Sequence, residues 1–221
     1  MLDGLDLDIQ AGEYVALVGN SGCGKSTVLR QLLAFENPQF GSVRFDDLDL
    51  AKMYKQALLR QFGLVMQNAK LTPGTLYDNI VGTNYGLSQA SVQSAIERVG
   101  LAEDIKDMPM GLQTTLSDST GGLSGGQVQR VLLAKANVAS TRIVILDEPT
   151  SALDNRTQSV VIETMEKLDA TRIVVAHRLS TIMGVDRIIV LDNGRVIEEG
   201  SYDQLMERNG HFADMAKRQL A

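Results

Sequence analysis

The chain has 221 residues, with 27 acidic against 21 basic side chains and a net charge of −6. That length can bury a substantial core, as one large domain or two closely joined lobes, and the acidic balance speaks against broad electrostatic binding of nucleic acid. Cys23 is the single cysteine, which excludes an internal disulfide and suits a reducing compartment. No apolar run approaches the roughly 20 residues that span a bilayer. The N-terminus has neither a basic start nor a hydrophobic signal region, so a membrane role is expected to require a partner, either a separate subunit or a transmembrane portion of a longer polypeptide.

In chain order, the first element is the apolar run Tyr14-Val15-Ala16-Leu17-Val18, which reads as a buried strand. It leads into Gly19-Asn20-Ser21-Gly22-Cys23-Gly24-Lys25-Ser26-Thr27, a match to G-x-x-x-x-G-K-[ST], with a helix pattern from Thr27 to Ala34. The glycines let the backbone turn tightly, so that N–H groups point inward at phosphate oxygens, and the helix N-terminus adds partial positive charge. Lys25 would neutralise β- and γ-phosphates and the Ser26 hydroxyl would ligate Mg²⁺. Cys23 reads as a small residue that fits the loop. Pro38 to Ser42 reads as a turn before the short strand Val43-Arg44-Phe45.

A further apolar run, Phe62-Gly63-Leu64-Val65-Met66, ends at Gln67, which taken alone is an ordinary surface glutamine. Helix patterns follow at Tyr77 to Gly82 and Ser88 to Val99, divided from the next by turns at Thr72-Pro73-Gly74 and Met108-Pro109-Met110-Gly111. Met66, Met108 and Met110 fit either core packing or a pliable apolar surface. In Leu123-Ser124-Gly125-Gly126-Gln127, Ser124 can cap a helix through Val128 to Ala136, while Gly125 and Gly126 leave its amide end open to an anion; a plain helix start explains these residues equally well.

Arg142 to Leu146 reads as a strand running into Asp147-Glu148-Pro149, where the proline stops it. Ligands of parallel sheets bind beyond the carboxyl ends of strands, so Asp147 suits Mg²⁺ and Glu148 suits orienting or deprotonating an attacking water. Thr171 to Ala176 is another strand ending at His177, a donor by the same strand-end rule, although a lone histidine is more often structural. Asn193-Gly194 marks a hairpin between Ile188-Ile189-Val190-Leu191 and Arg195-Val196-Ile197, and Gln204 to Leu220 reads as one terminal helix. No internal repeat or low-complexity tract is present.

In this order, over nearly the whole length, the motifs resemble the nucleotide-binding domain of ABC transporters: a Walker A loop at Gly19 to Thr27, a Q-loop at Gln67, a signature at Leu123 to Gln127, Walker B acids at Asp147 and Glu148, a D-loop at Ser151-Ala152-Leu153-Asp154, and a switch histidine at His177. The resemblance implies an α/β fold. Its core is a P-loop NTPase (RecA-like) unit with a mainly parallel sheet, a small antiparallel β part at the N-terminus and an inserted α-helical subdomain. Residues 1–67 and 137–221 would form the ATP-binding core and residues 68–136 the subdomain carrying the signature.

It also implies ATP and Mg²⁺ as cofactors. Gly19, Asn20, Ser21, Gly22, Cys23, Gly24, Lys25, Ser26, Thr27 and Gln67 would bind the nucleotide, Ser26, Gln67 and Asp147 the metal, and Lys25, Glu148 and His177 would act in hydrolysis. Two domains would close head to tail, so that Ser124, Gly125, Gly126 and Gln127 face a γ-phosphate in trans. The implied partners are a second nucleotide-binding domain, identical or homologous, and a transmembrane domain at the cytoplasmic face of the membrane, with no nucleic acid.

Within the family, Ala176-His177-Arg178-Leu179-Ser180-Thr181 and Asp186 to Arg195 resemble exporters, loosely those of peptides and bacteriocins. The exporter segment T-x-G-E-x-G is replaced by Thr115-Leu116-Ser117-Asp118-Ser119-Thr120. The family also stacks adenine on an aromatic residue upstream of the loop. Tyr14 is the only aromatic there and reads as packing, so the chain is expected to be a fragment without the first strand, with weak nucleotide affinity. The alternatives are a soluble ABC-type ATPase of DNA repair, whose relatives carry long coiled coils where this chain has a compact insert, and a nucleotide-gated regulatory module not coupled to transport.

Overall fold

A computed structural model describes residues 2–67, 69–84, 86–117, 122–150, 153–176 and 178–220. Of the expectations above, those on Asp118, Ser119 and Thr120, on Ser151 and Ala152, and on His177 lie outside the described residues. The chain divides into two compact units, Met1–Phe62 with Thr171–Ala221, and Gly63–Ala170.

In the first unit, β1 (Tyr14–Val18) is buried along all five residues, and α1 (Lys25–Leu32) follows the glycine loop directly. A two-residue hairpin, β2 (Arg44–Phe45) and β3 (Leu48–Asp49), is antiparallel, and α2 (Lys55–Leu59) follows it. Tyr14 is a packing residue, as expected: it is buried, with the Arg172 guanidinium 4.6 Å over its ring.

The second unit takes in all but the first residue of β4 (Phe62–Val65), then β5 (Gly74–Thr75), α3 (Leu76–Val81), α4 (Gln89–Arg98), α5 (Ala102–Lys106), β6 (Thr115–Leu116), α6 (Gly125–Asn137), β7 (Ile143–Asp147) and α7 (Asn155–Glu166). Here β4 neighbours β7, and β5 pairs antiparallel with β6. Side-chain caps start α3, α4, α6 and α7. Thr75 and Asp78 form a capping box at α3, and Ser88 accepts the Ser91 N–H at α4. Gly63 admits the carbonyl of Ala136, which a Cβ would meet at 2.1 Å.

The chain returns to the first unit with β8 (Thr171–Val175), α8 (Leu179–Ile182), β9 (Arg187–Asp192), β10 (Arg195–Gly200), α9 (Tyr202–Glu207) and α10 (His211–Leu220). There β1 lies between β8 and β9, parallel to both, and β10 pairs antiparallel with β9. Val15 to Leu17 and Ile188 to Leu191 are fully buried, as strands with both faces covered must be, which explains their unbroken apolar runs. Asn193 (φ 47°) and Gly194 (φ 80°) make the expected tight turn, whose two positive φ angles match the twist of a hairpin.

The terminal helix differs from expectation: it is two helices, α9 and α10, broken at Asn209-Gly210. Asn209 is left-handed at φ 48°, and a Cβ on Gly210 would lie 2.1 Å from the Glu198 carboxylate. That carboxylate, reaching over from β10, accepts the N–H groups of His211 at 2.6 Å and Phe212 at 3.0 Å, so α10 takes its cap from a strand thirteen residues earlier. Glu198→Ala is expected to lower stability by about 1–2 kcal/mol, read from urea unfolding. An unchanged midpoint would show that α10 starts without this cap.

Candidate functional site

In the glycine loop, Gly19 (φ 147°), Gly22 (φ 81°) and Gly24 (φ 117°) all adopt backbone that side chains disfavour. A Cβ on Gly19 would sit 2.2 Å from the Leu191 carbonyl, while one on Gly22 would meet nothing within 4 Å. The hairpin turn braces the loop, the Gly194 N–H donating to Cys23 O at 2.9 Å.

Lys25 is 7% exposed. Its ammonium donates to Gly19 O at 2.7 Å, Asn20 O at 3.1 Å and Cys23 Sγ at 3.7 Å. Among the described residues its partners are thus two backbone carbonyls and a sulfur, so the buried ammonium is curled into its own loop, an arrangement that an anion would stabilise. Ser26 is exposed and Thr27 half-buried at the start of α1.

In the second unit, the core strand β7 ends at a half-buried Asp147 followed by Glu148, whose φ is +49°. A left-handed glutamate costs about 1–3 kcal/mol and persists only where its surroundings hold it, which is a mark of functional positions. Gln67, leaving β4, donates from Nε2 to Glu148 Oε2 at 2.8 Å. The structure thus brings together two residues that are 81 positions apart and both expected at the chemistry.

The Leu123 to Gln127 segment starts α6, and Ser124 is its N-cap in a complete capping box: Ser124 Oγ accepts the Gln127 N–H at 3.2 Å, and Gln127 Oε1 accepts the Ser124 N–H at 2.9 Å. Gln127 Nε2 also donates to Asp104 on α5 at 2.8 Å. Gly125 is exposed. Gly126 is buried, and a Cβ there would lie 2.0 Å from Thr157 Cγ2 on α7, so close crossing of two helices demands this glycine in addition to any need for an open helix end.

Asp154 caps α7 by accepting the N–H groups of Arg156 and Thr157, both at 3.1 Å. A hydrogen bond from the Thr157 side chain, then one from its backbone, holds the Asp154 carboxyl below its ordinary range. Met66 and Met110 are exposed and Met108 half-buried, so the first two do not pack in the core. Asp104 and Thr157 were invisible to motif reading. Their partners lie 23 and 31 positions away, and neither pairing leaves a local pattern.

A glycine loop wrapped on a buried lysine, together with an acid pair at the end of a core strand, defines the class: a P-loop nucleoside triphosphatase. The family model described as "ABC transporter" matches residues 2–151. The ATP-dependent lipid A-core flippase of Neisseria meningitidis is 44% identical over 213 residues, covering 96% of this chain and 34% of that protein. The ATM1-type heavy metal exporter of Novosphingobium aromaticivorans is 40% identical over 223 residues, covering 100% of this chain and 37% of that protein. The structure of a bacterial Atm1-family ABC exporter with ATP bound superposes with a TM-score of 0.91 at 40% identity, covering 100% of this chain and 39% of that one.

The chain belongs to the ABC transporter family. It is an exporter-type nucleotide-binding domain with the α/β P-loop fold, an ATP-binding and ATP-hydrolysing module. It spans about a third of the length of the curated relatives it matches.

Among the described residues no helix is long and apolar enough to cross a membrane. Nor do those residues hold a cluster of three His, Cys, Asp or Glu side chains suited to a metal. The donors at the motifs, the Ser26 hydroxyl and the Asp147 carboxylate, are hard oxygens. Oxygen donors of this kind suit Mg²⁺, which binds through one or two carboxylates and substrate phosphates rather than an all-protein cage.

Proposed function

We propose that this chain powers a membrane exporter, binding Mg-ATP and closing on a second nucleotide-binding domain at the cytoplasmic face of the membrane, with hydrolysis reopening the pair and moving a transmembrane partner. The observation that carries this is the buried Lys25 ammonium, which among the described residues donates to two backbone carbonyls and a sulfur, in a chain whose relatives are named an ATP-dependent lipid A-core flippase and a heavy metal exporter.

In this scheme the loop from Gly19 to Thr27 cradles the phosphates, and Lys25 leaves its carbonyl partners for the β- and γ-oxygens. Mg²⁺ would be held by Ser26 and Asp147, directly or through water, and would spread the charge that develops on the phosphates. Gln67 donates from Nε2 to Glu148, and its carbonyl oxygen would serve the cation. Glu148 takes the proton of the attacking water, and His177 donates to the γ-phosphate, a role that rests on its motif position. Ser124, Gly125, Gly126 and Gln127 present the start of α6 to the γ-phosphate of the partner's nucleotide, where open N–H groups and the helix dipole favour an anion.

Residues 68–136 carry the signature and, with the exposed Met66 and Met110, are proposed to meet the membrane partner. Mg-ATP turnover measured against protein concentration tests the paired site. Turnover should rise faster than linearly, and Ser124→Ala, which removes the cap oxygen at that helix start, should reduce it about tenfold. Linear, Ser124-independent turnover would instead identify a module that works as a monomer.

A further inference from the structure

Gln127 has two tasks within its own chain. Its Oε1 holds the Ser124 N–H, closing the capping box at the start of α6, and its Nε2 donates to Asp104 Oδ1. The other Asp104 oxygen receives Arg130 at 2.9 Å, and the same Arg130 nitrogen reaches the Gly100 carbonyl. Arg130 and Asp104 are largely shielded, with side chains 15% and 24% exposed. Gly100, left-handed at φ 65°, turns its carbonyl back toward this pair at the junction of α4 and α5.

We propose that Asp104 is a positioning residue for the signature. By anchoring Gln127 it fixes Ser124 and the first N–H groups of α6 in the geometry that receives the partner's γ-phosphate, a role that rests on the trans engagement proposed above. The reasoning is geometric. A capping-box glutamine has a free amide end and several rotatable bonds, and the box persists only while one rotamer is held. A carboxylate accepting from Nε2 orients the amide so that Oε1, and not Nε2, faces the Ser124 N–H.

An unpaired acid beside an anion-binding helix end would repel the ligand. Arg130, one turn along α6, neutralises Asp104 and leaves its acceptor geometry intact. Sequence spacing alone does not join these residues, because α5 supplies the carboxylate and α6 supplies both donors.

The test compares Asp104→Leu with Asp104→Asn, taking Ser124→Ala as reference. Asparagine can still accept from Gln127 but has lost the ion pair to Arg130; leucine has neither. Each variant is measured for helical circular dichroism, for Mg-ATP binding at dilutions too low for pairing, and for Mg-ATP turnover against protein concentration.

Asp104→Leu should raise the protein concentration needed for half-maximal turnover about tenfold while dilute-chain binding stays within about twofold. Asp104→Asn should recover most of that loss. Equal impairment of both variants would assign the carboxylate to the ion pair and overturn the role. So would a wild-type concentration dependence in Asp104→Leu while Ser124→Ala is impaired. An unimpaired Ser124→Ala overturns the trans engagement itself, a result distinct from the other two. If Asp104→Leu fails to fold, Asp104→Ala decides in the same way, and unfolding of both makes Asp104 a stability residue and overturns its positioning role.

Discussion

Glu148→Gln is expected to lower steady-state ATP turnover by about a hundredfold or more while Mg-ATP binding is preserved and a nucleotide-bound dimer accumulates. The amide has the shape of the carboxylate and its Oε1 can still accept from Gln67 Nε2, so the contact at 2.8 Å survives. It also tolerates the left-handed backbone at φ +49° no worse than glutamate does. What it cannot do is take a proton from water. Turnover by single-turnover quench and assembly by size exclusion with Mg-ATP check both halves. Near-normal turnover would move the base elsewhere, and lost binding would mean that Glu148 shapes the site rather than serving the chemistry.

Gly126→Ala should be the most damaging small substitution in the signature. Its new methyl would lie 2.0 Å from Thr157 Cγ2, so α6 and α7 must separate or shear. Overpacking of this kind costs about 2 kcal/mol, and displacing a helix end proposed to meet a reacting phosphate should cut turnover by about tenfold or more. Thr157→Ser removes the offending methyl, leaving the next contacts at 3.3 Å and 3.5 Å, and keeps the hydroxyl that bonds Asp154. The double variant should recover stability and much of the turnover. Recovery of stability alone would mean that Gly126 is needed by the nucleotide as well as by the packing. Gly125→Ala, whose Cβ meets Leu153 at an ordinary 3.5 Å, is the control for crowding.

Legibility in the sequence followed how local each determinant is. The core strands could be read because β1 and β9 are buried on both faces and written as unbroken apolar runs. The glycine loop was legible because its conformation needs glycines at fixed spacing, and the Asn193-Gly194 turn because two positive φ angles admit few residues. The Ser124 cap was legible as a helix start, and its partner Gln127 lies only three residues on.

In the terminal helix the Asn209-Gly210 dipeptide is a local break signal that the apolar periodicity running across it outweighed, and the group that starts α10 afresh, Glu198, was hidden because it sits on a strand. The second demand on Gly126 was hidden too, because the side chain that forbids a Cβ there is 31 residues away.

The sequence by itself determined the class of this protein and its order of motifs, and it pointed to the chemistry proposed for each: a lysine for phosphate, hard oxygens for a cation, an acid for water. These rest on residue identity and short spacings, which the chain carries in one dimension. Only the tertiary structure decided that Lys25 is buried on neutral carbonyls, that Gln67 holds Glu148, that Asp104 holds Gln127, and that Thr157 excludes a side chain at Gly126. Hydrogen bonds and steric contacts act over a few ångströms, and folding alone brings residues tens of positions apart within that range.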